Sequence, residues 1–330
     1  MKRKIPFILL AAAAACGISF AEPVFTTPVG YVTVPLNQGV YNLVGLTLHN
    51  PTIVSGTLTS VSSNLVVDDN ADFSVIEQDV VYILEINTGL GAGIIQEIVN
   101  PPSSTSIATP DDLDGLVSSG STYSLRKAAT LDSIFGAENE VAELAESVDG
   151  SSAGADTILV PKGDGTFDTY FFVNAPGVFV GWFDGSDAAG DAVLNYSDAI
   201  FVRTSSSSTA IDLVISGEVK AVDTQGVLLT GFNLLSSVDP ATMTLASSGL
   251  QDSLSPSADG STTGADLVLV PNSAAPGTFN TFFYVDAPGV FTGWFDGSEP
   301  ADDVSLNGGF FIRNFGSTKS YNLSAPAIGN

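Results

Sequence analysis

The chain has 330 residues, 36 acidic against ten Lys and Arg, one His, one Cys and 44% hydrophobic residues. So acidic a chain repels nucleic acid and anionic lipid, and one His with one Cys excludes zinc sites of ordinary type. Its length suffices to bury a sizeable core without covalent staples.

The chain opens Met1-Lys2-Arg3-Lys4, then runs apolar from Ile5 to Ala15. A basic start, a short apolar run and small residues before Glu22 predict a signal peptide over 1–21, cut after Ala21. The run is too short, and carries Pro6, for a good membrane-spanning helix, and no second candidate follows. Cys16 lies in a loose lipoprotein-type cleavage box, so a lipid anchor through Cys16 stands beside the plainer reading of an apolar position. Removal of 1–21 leaves seven cations against 36 acids, a net charge of −29. The expected location is exported: periplasm, cell surface or extracellular.

Low Lys content with abundant Val, Thr, Phe and Gly favours strands and turns. Residues 28–50 carry alternating strand patterns. The stretch 51–127 reads as a series of short strands. Among them are a hairpin breaking at Ser62-Ser63-Asn64, "VVYILEI" from Val80, "AGIIQEIV" from Ala92 and "STSIAT" from Ser104. Such a series predicts a small barrel-like or curled β module. Gly89–Gly93 within it lacks a βαβ context, so it reads as a flexible turn and no dinucleotide loop. Helix is scarce: one turn over Thr130–Phe135, and a candidate over Glu138–Ser147 with Val141 and Leu144 on one side.

From Thr166 the chain reads "TFDTYFFVNAPGVFVGWFDGS", and from Thr278 "TFNTFFYVDAPGVFTGWFDGS". The two align without a gap over 21 residues, 16 of them identical. All five differences fall at even numbers in the first copy, and the odd positions of Phe167–Val173 are unchanged. Since strand side chains alternate, the odd face is expected to be locked into a core and the even face to be freer. Ala175-Pro176-Gly177-Val178 predicts a type II turn, and Asp184-Gly185 a tight hairpin turn.

The likeness extends to Gly154/Gly264 upstream and Arg203/Arg313 downstream. Further back, Gly39–Leu48 resembles Thr230–Asp239, and the stretch from Val29 resembles the one from Ser216. The expected architecture is mainly β: two tandem β-sandwich-like domains from an internal duplication. The first spans 28–50 plus 128–215, is interrupted by the 51–127 module, and precedes a second domain over 216–330.

Val29-Gly30-Tyr31, Gly56–Val61, "TLDSIFG" at Thr130 and Phe201-Val202-Arg203 together resemble a family of uncharacterised exported bacterial proteins of the Verrucomicrobia type. The family has no established activity, so the resemblance implies no functional residues.

His49 beside Pro51 reads as a structural histidine, and no Gly-x-Ser-x-Gly elbow is present. Calcium is the one cofactor with candidates. Asp184, Asp187 and Asp191 follow Trp182, while Asp296, Glu299, Asp302 and Asp303 follow Trp294. The turn alone explains the Asp-Gly pairs equally well. Tyr170, Trp182, Phe282 and Trp294 are the ligand-binding candidates, as flat rings for stacking on sugar or on another subunit, against the alternative that they are covered. Arg203 is expected to pair with Asp156, and Arg313 with Asp266. The function that follows is a non-catalytic structural or adhesive envelope protein, with glycan or self-association as partner. The alternatives are a carbohydrate-binding protein and, third, a glycoside hydrolase using paired carboxylates.

Overall fold

Period-two apolar alternation dominates the chain, and the computed structural model is mainly β, with several sheets and no closed barrel. It describes residues 28–99, 103–205, 211–240 and 243–326. The signal peptide expected over 1–21, with Cys16, lies outside the described residues.

The first strands are β1 (Val29–Leu36) and β2 (Tyr41–Gly45). Seven follow in the 51–127 stretch: β3 (Thr52–Thr57), β4 (Ser60–Ser62), β5 (Leu65–Val67), β6 (Val81–Ile86), β7 (Ile95–Val99), β8 (Ser106–Ala108) and β9 (Thr122–Lys127). They form an open four-stranded sheet, β3-β9-β6-β7, and an open three-stranded sheet, β4-β5-β8. Ile98, Tyr82, Leu84, Val66, Phe73 and Ile107 share the module's core. The expected barrel is therefore two open sheets across one core. Ser63 takes the positive φ of 51° that the β4–β5 turn needs.

Next come β10 (Ala129–Thr130) and α1 (Leu131–Phe135), capped at its start by Thr130 and Ser133 in a reciprocal capping box. The helix expected over Glu138–Ser147 does not form. Asn139 and Glu143 both adopt positive φ, and the Asn139 side chain bonds both the N–H and the carbonyl of Leu144. A side chain that supplies the backbone's partners locally replaces the helical ladder.

The rest of the first half comprises β11 (Thr157–Pro161), β12 (Phe167–Ala175), β13 (Phe179–Phe183), β14 (Val193–Leu194) and β15 (Ala199–Arg203). Then follow β16 (Ile211–Glu218), β17 (Thr224–Leu228), β18 (Gly231–Ser236), β19 (Leu267–Pro271), β20 (Phe279–Ala287), β21 (Phe291–Phe295), β22 (Gly309–Asn314) and β23 (Lys319–Leu323).

Two five-stranded antiparallel sheets carry the fold, ordered β13-β12-β11-β15-β2 and β21-β20-β19-β22-β18. Their registers correspond. Ile158 pairs with Tyr170 and Val202, as Val268 pairs with Phe282 and Ile312. Phe172 pairs with Trp182, as Tyr284 pairs with Trp294. Each sheet is covered on one face by a two-stranded ribbon, β1–β16 or β17–β23. The edge expected between 215 and 216 lies inside β16, and this strand completes the first ribbon by pairing Gly217 with Gly30.

The Pro-Gly turns form as expected. Gly177 and Gly289 both sit at φ 86°, and Val178 and Val290 donate back to Ala175 and Ala287. After Asp184-Gly185 the chain makes one bridge, Phe183 to Ala188, and then leaves the sheet. No third meander strand follows there.

Both faces of the repeated strand are covered: Phe171, Val173, Phe283 and Val285 on the odd face are buried as expected, and the even face is buried too. The main core of each half lies on the even face, where Phe172 packs with Trp182, and Phe282 with Trp294. The odd face carries only small clusters around Phe171 and Phe283, and Phe167 is 37% exposed. The even positions differ between copies without loss of packing, because Tyr170/Phe282 and Phe172/Tyr284 exchange only a hydroxyl. Both tyrosines sit half-buried.

Candidate functional site

The calcium candidates belong to turns. Asp184 accepts from the N–H groups of Ser186 and Asp187 at 2.7 Å each, and Asp296 from Ser298 and Glu299 at 2.7 Å each. These bonds hold both carboxyls below the ordinary carboxylate range. Asp302 accepts from the Trp294 N–H at 2.9 Å. Asp187, Asp191, Glu299 and Asp303 are exposed. Among the described residues no group of three or more His, Cys, Asp or Glu is gathered as a metal would need.

The aromatic candidates are core. Trp182 and Trp294 are each 1% exposed, Phe282 is buried and Tyr170 half-buried, so neither indole offers a face to a sugar. Trp182 Nε1 donates to the Gly136 carbonyl at 2.8 Å.

The expected Arg–Asp pairs do not form. Arg203 is in register with Thr157, and Arg313 with Leu267, so each guanidinium emerges on the opposite face from the preceding aspartate. Arg203 lies 6.0 Å from the Tyr41 ring, and Arg313 lies 4.2 Å from that of Phe315. Asp156 instead accepts from the N–H groups of Ala145 and Ser205, and Asp266 from those of Ser255 and Phe315. Asp266 also pairs with Lys319.

His49 joins a buried ionic cluster between the 51–127 module and the two halves. Its Nδ1 is 3.3 Å from an Arg126 nitrogen, and its ring lies 4.1 Å from that of Tyr196. Arg126 donates to Glu85 at 3.2 Å, and Lys220 pairs with the other Glu85 oxygen. Burial, then Arg126 and Lys220, push the His49 pKa well down, so the imidazole is neutral.

Sequence reasoning missed the groove between the two five-stranded sheets. Here their odd faces meet. Phe201 and Phe311, equivalent in the two halves, have ring centroids 5.9 Å apart. Phe167 packs on Phe201 and Phe279 on Phe311. The backbones approach closely: a Cβ on Gly45 would lie 2.4 Å from the Gly308 carbonyl carbon. Beside this contact opens a cavity of about 710 Å³, lined by these four phenylalanines, Phe232 and the β11–β12 hairpin. Asp198 lines it and also a neighbouring cavity of about 210 Å³ that Glu97 shares. Burial, and then Glu97, raise the Asp198 pKa to about 6.

No protein-family model, curated protein or solved structure matches the chain. Among the described residues no helix is long and apolar enough to cross a membrane.

Proposed function

We propose that the chain is an exported, non-catalytic structural or adhesive protein of the cell envelope or surface, akin to the Verrucomicrobia-type exported proteins that its turn-and-strand motifs resemble. The observation that carries this reading is where its reactive side chains sit. His49, Glu85, Arg126 and Lys220 form one buried cluster that joins modules. The repeated aspartates fasten turns and strand ends in both halves alike. Such groups specify a scaffold, with its doubled sheet as the display surface.

Fractionation of cells producing the full chain tests the proposal. Recovery in the envelope or medium is expected, and a purely cytoplasmic protein would overturn the export reading. Incubation of the purified protein with polysaccharides is expected to release no reducing ends. Release of reducing ends would restore the hydrolase. A glycan array separates adhesion without sugar from the carbohydrate-binding alternative.

A further inference from the structure

We propose that the side chains of Lys220 and Glu85 become joined by an amide bond, which fastens the 51–127 module covalently to the start of the second half.

The two residues come from distant parts of the chain. Glu85 stands on β6 on the same face as Val81 and Ile83, which pack against the core of the first half. Lys220 follows the end of β16 by two residues. Both side chains are sealed from water, Lys220 at 0% exposure and Glu85 at 2%. Lys220 Nζ lies against one Glu85 oxygen, yet it has no hydrogen-bonding geometry with that oxygen or with any other described residue. Asp223, the other carboxylate whose charge reaches Lys220, is engaged by the Asn322 amide and the Ala325 N–H. An ammonium so placed is poorly served as an ion. Burial lowers the Lys220 pKa to about 7, so the free amine, a nucleophile, is well populated at neutral pH.

The surroundings supply the rest of the reaction. Arg126 Nη2 donates at 3.2 Å to the second Glu85 oxygen, where negative charge gathers when the carbonyl is attacked. The Tyr196 hydroxyl, kept protonated by burial, lies 3.4 Å from the first oxygen. A proton passes from the ammonium to that first oxygen, which leaves a neutral amine beside a neutral acid. The nitrogen lone pair attacks Cδ and a C–N bond forms. The C–O bond to the first oxygen then breaks. That oxygen departs as water, with its second proton relayed from nitrogen by the Tyr196 hydroxyl. Ammonium plus carboxylate thus give amide plus water, and nothing is oxidised or reduced. Holding the two groups in contact provides the proximity that a condensation in solution lacks. The product replaces two buried charges by one neutral amide, and Arg126 keeps the charge of Glu218 in reach.

Lys319 and Asp266 are the contrast. Lys319 is 24% exposed and donates to Ser255 Oγ at 3.1 Å as well as to Asp266, so it is served as an ion and stays one.

Mass spectrometry of the purified protein in denaturant, with its first residue read by sequencing, tests the proposal. The predominant species is expected one water lighter than its sequence. Digestion should yield a branched peptide that joins the segment around Glu85 to the segment around Lys220. Lys220→Arg, which keeps a cation but offers no amine, should restore the missing water and abolish the branched peptide. Lys319→Arg should change neither. The readout is independent of where the protein resides, so failure of the export reading leaves it standing. A wild-type mass equal to the sequence, with the two segments recovered only as separate peptides, would overturn the proposal and leave an ion pair. A deficit of one water that persists in Lys220→Arg would overturn it as well.

Discussion

Trp182 and Trp294 hold equivalent places in the two sheets, yet among the described residues only Trp182 has a partner for its indole nitrogen. Its Nε1 donates to the Gly136 carbonyl at 2.8 Å, whereas Trp294 Nε1 is buried and finds no acceptor among the described residues. Replacement by Phe removes a satisfied donor in one case and an orphan in the other. Trp182→Phe is therefore expected to cost about 1 kcal/mol more than Trp294→Phe. Urea unfolding of the two variants measures the difference, and equal midpoints at unchanged slope would contradict it.

The aspartate clamps make a second comparison. Asp156→Ala removes the carboxylate that the half-buried Ala145 and Ser205 N–H groups donate to. A loss of about 1–3 kcal/mol is expected, from about 0.5–1.5 kcal/mol for each of the two hydrogen bonds. Asp266→Ala additionally unpairs Lys319. Burial raises the Asp266 carboxyl, but hydrogen bonds from Lys319, Ser255 and Phe315 outweigh it and hold the pKa below its ordinary value. The stabilisation is then complete above the unfolded pKa and fades as pH falls through the folded one. Asp266→Asn should flatten the decline in melting temperature below about pH 4.

Asp198 has the opposite sign. Its pKa is raised to about 6, by burial and then by Glu97 from β7, against a hydrogen bond from Ser197. Tyr321 from β23 also faces it. This group's contribution is full below about pH 4 and is lost as pH rises through about 6. Asp198→Asn is expected to raise the melting temperature at pH 7 relative to wild type, and to leave it nearly unchanged at pH 4. An identical difference at both pH values would refute the assignment.

In the ionic cluster the order of losses is informative. Arg126→Met leaves Glu85 paired with Lys220, whereas Glu85→Gln removes the carboxylate that Arg126 and Lys220 share and leaves them only the more distant Glu218 and Asp223. Removal of one partner from a buried pair costs about 3–5 kcal/mol. Glu85→Gln is expected in that range, and Arg126→Met clearly below it. Thermal unfolding of both variants, read side by side, checks the order.

Gly93 reaches across to the second half, where Gln225 N–H donates to its carbonyl at 2.9 Å. Its φ is 93°, and a Cβ there would lie 2.7 Å from the Asp223 carbonyl oxygen. Gly115 has a similar φ but open space around it. Gly93→Ala should therefore destabilise the protein more than Gly115→Ala, as chemical denaturation would show.

Strand positions were legible because alternation and Pro-Gly turns act locally. The hairpin at Ser63, the strand over Phe167–Val173 and the helical turn over Thr130–Phe135 all appear where the residues place them. That both faces of the repeated strand are covered was not legible from the copies. Tyr and Phe exchange within a core at little cost, so variation did not mark the outside. The capping box of Thr130 and Ser133 recurs at Thr244 and Ser247, a match overlooked amid serine-rich sequence. The groove was hidden for a different reason. It arises from the meeting of Phe201 with Phe311, some 110 residues apart. The calcium and ring candidates sit in turns and cores because the same residue types serve those places more cheaply than they serve ligands.

The pairing of β1 with β16 sets a timetable for folding. Leu36 is buried, and Val32 and Val34 pack against the same core, yet their partners arrive only at 211–218. A chain emerging amino end first must hold this opening ribbon unpaired until almost two thirds of its length is out. Closing so distant a contact is slow. An exposed edge that waits this long is where a chaperone would find its hold.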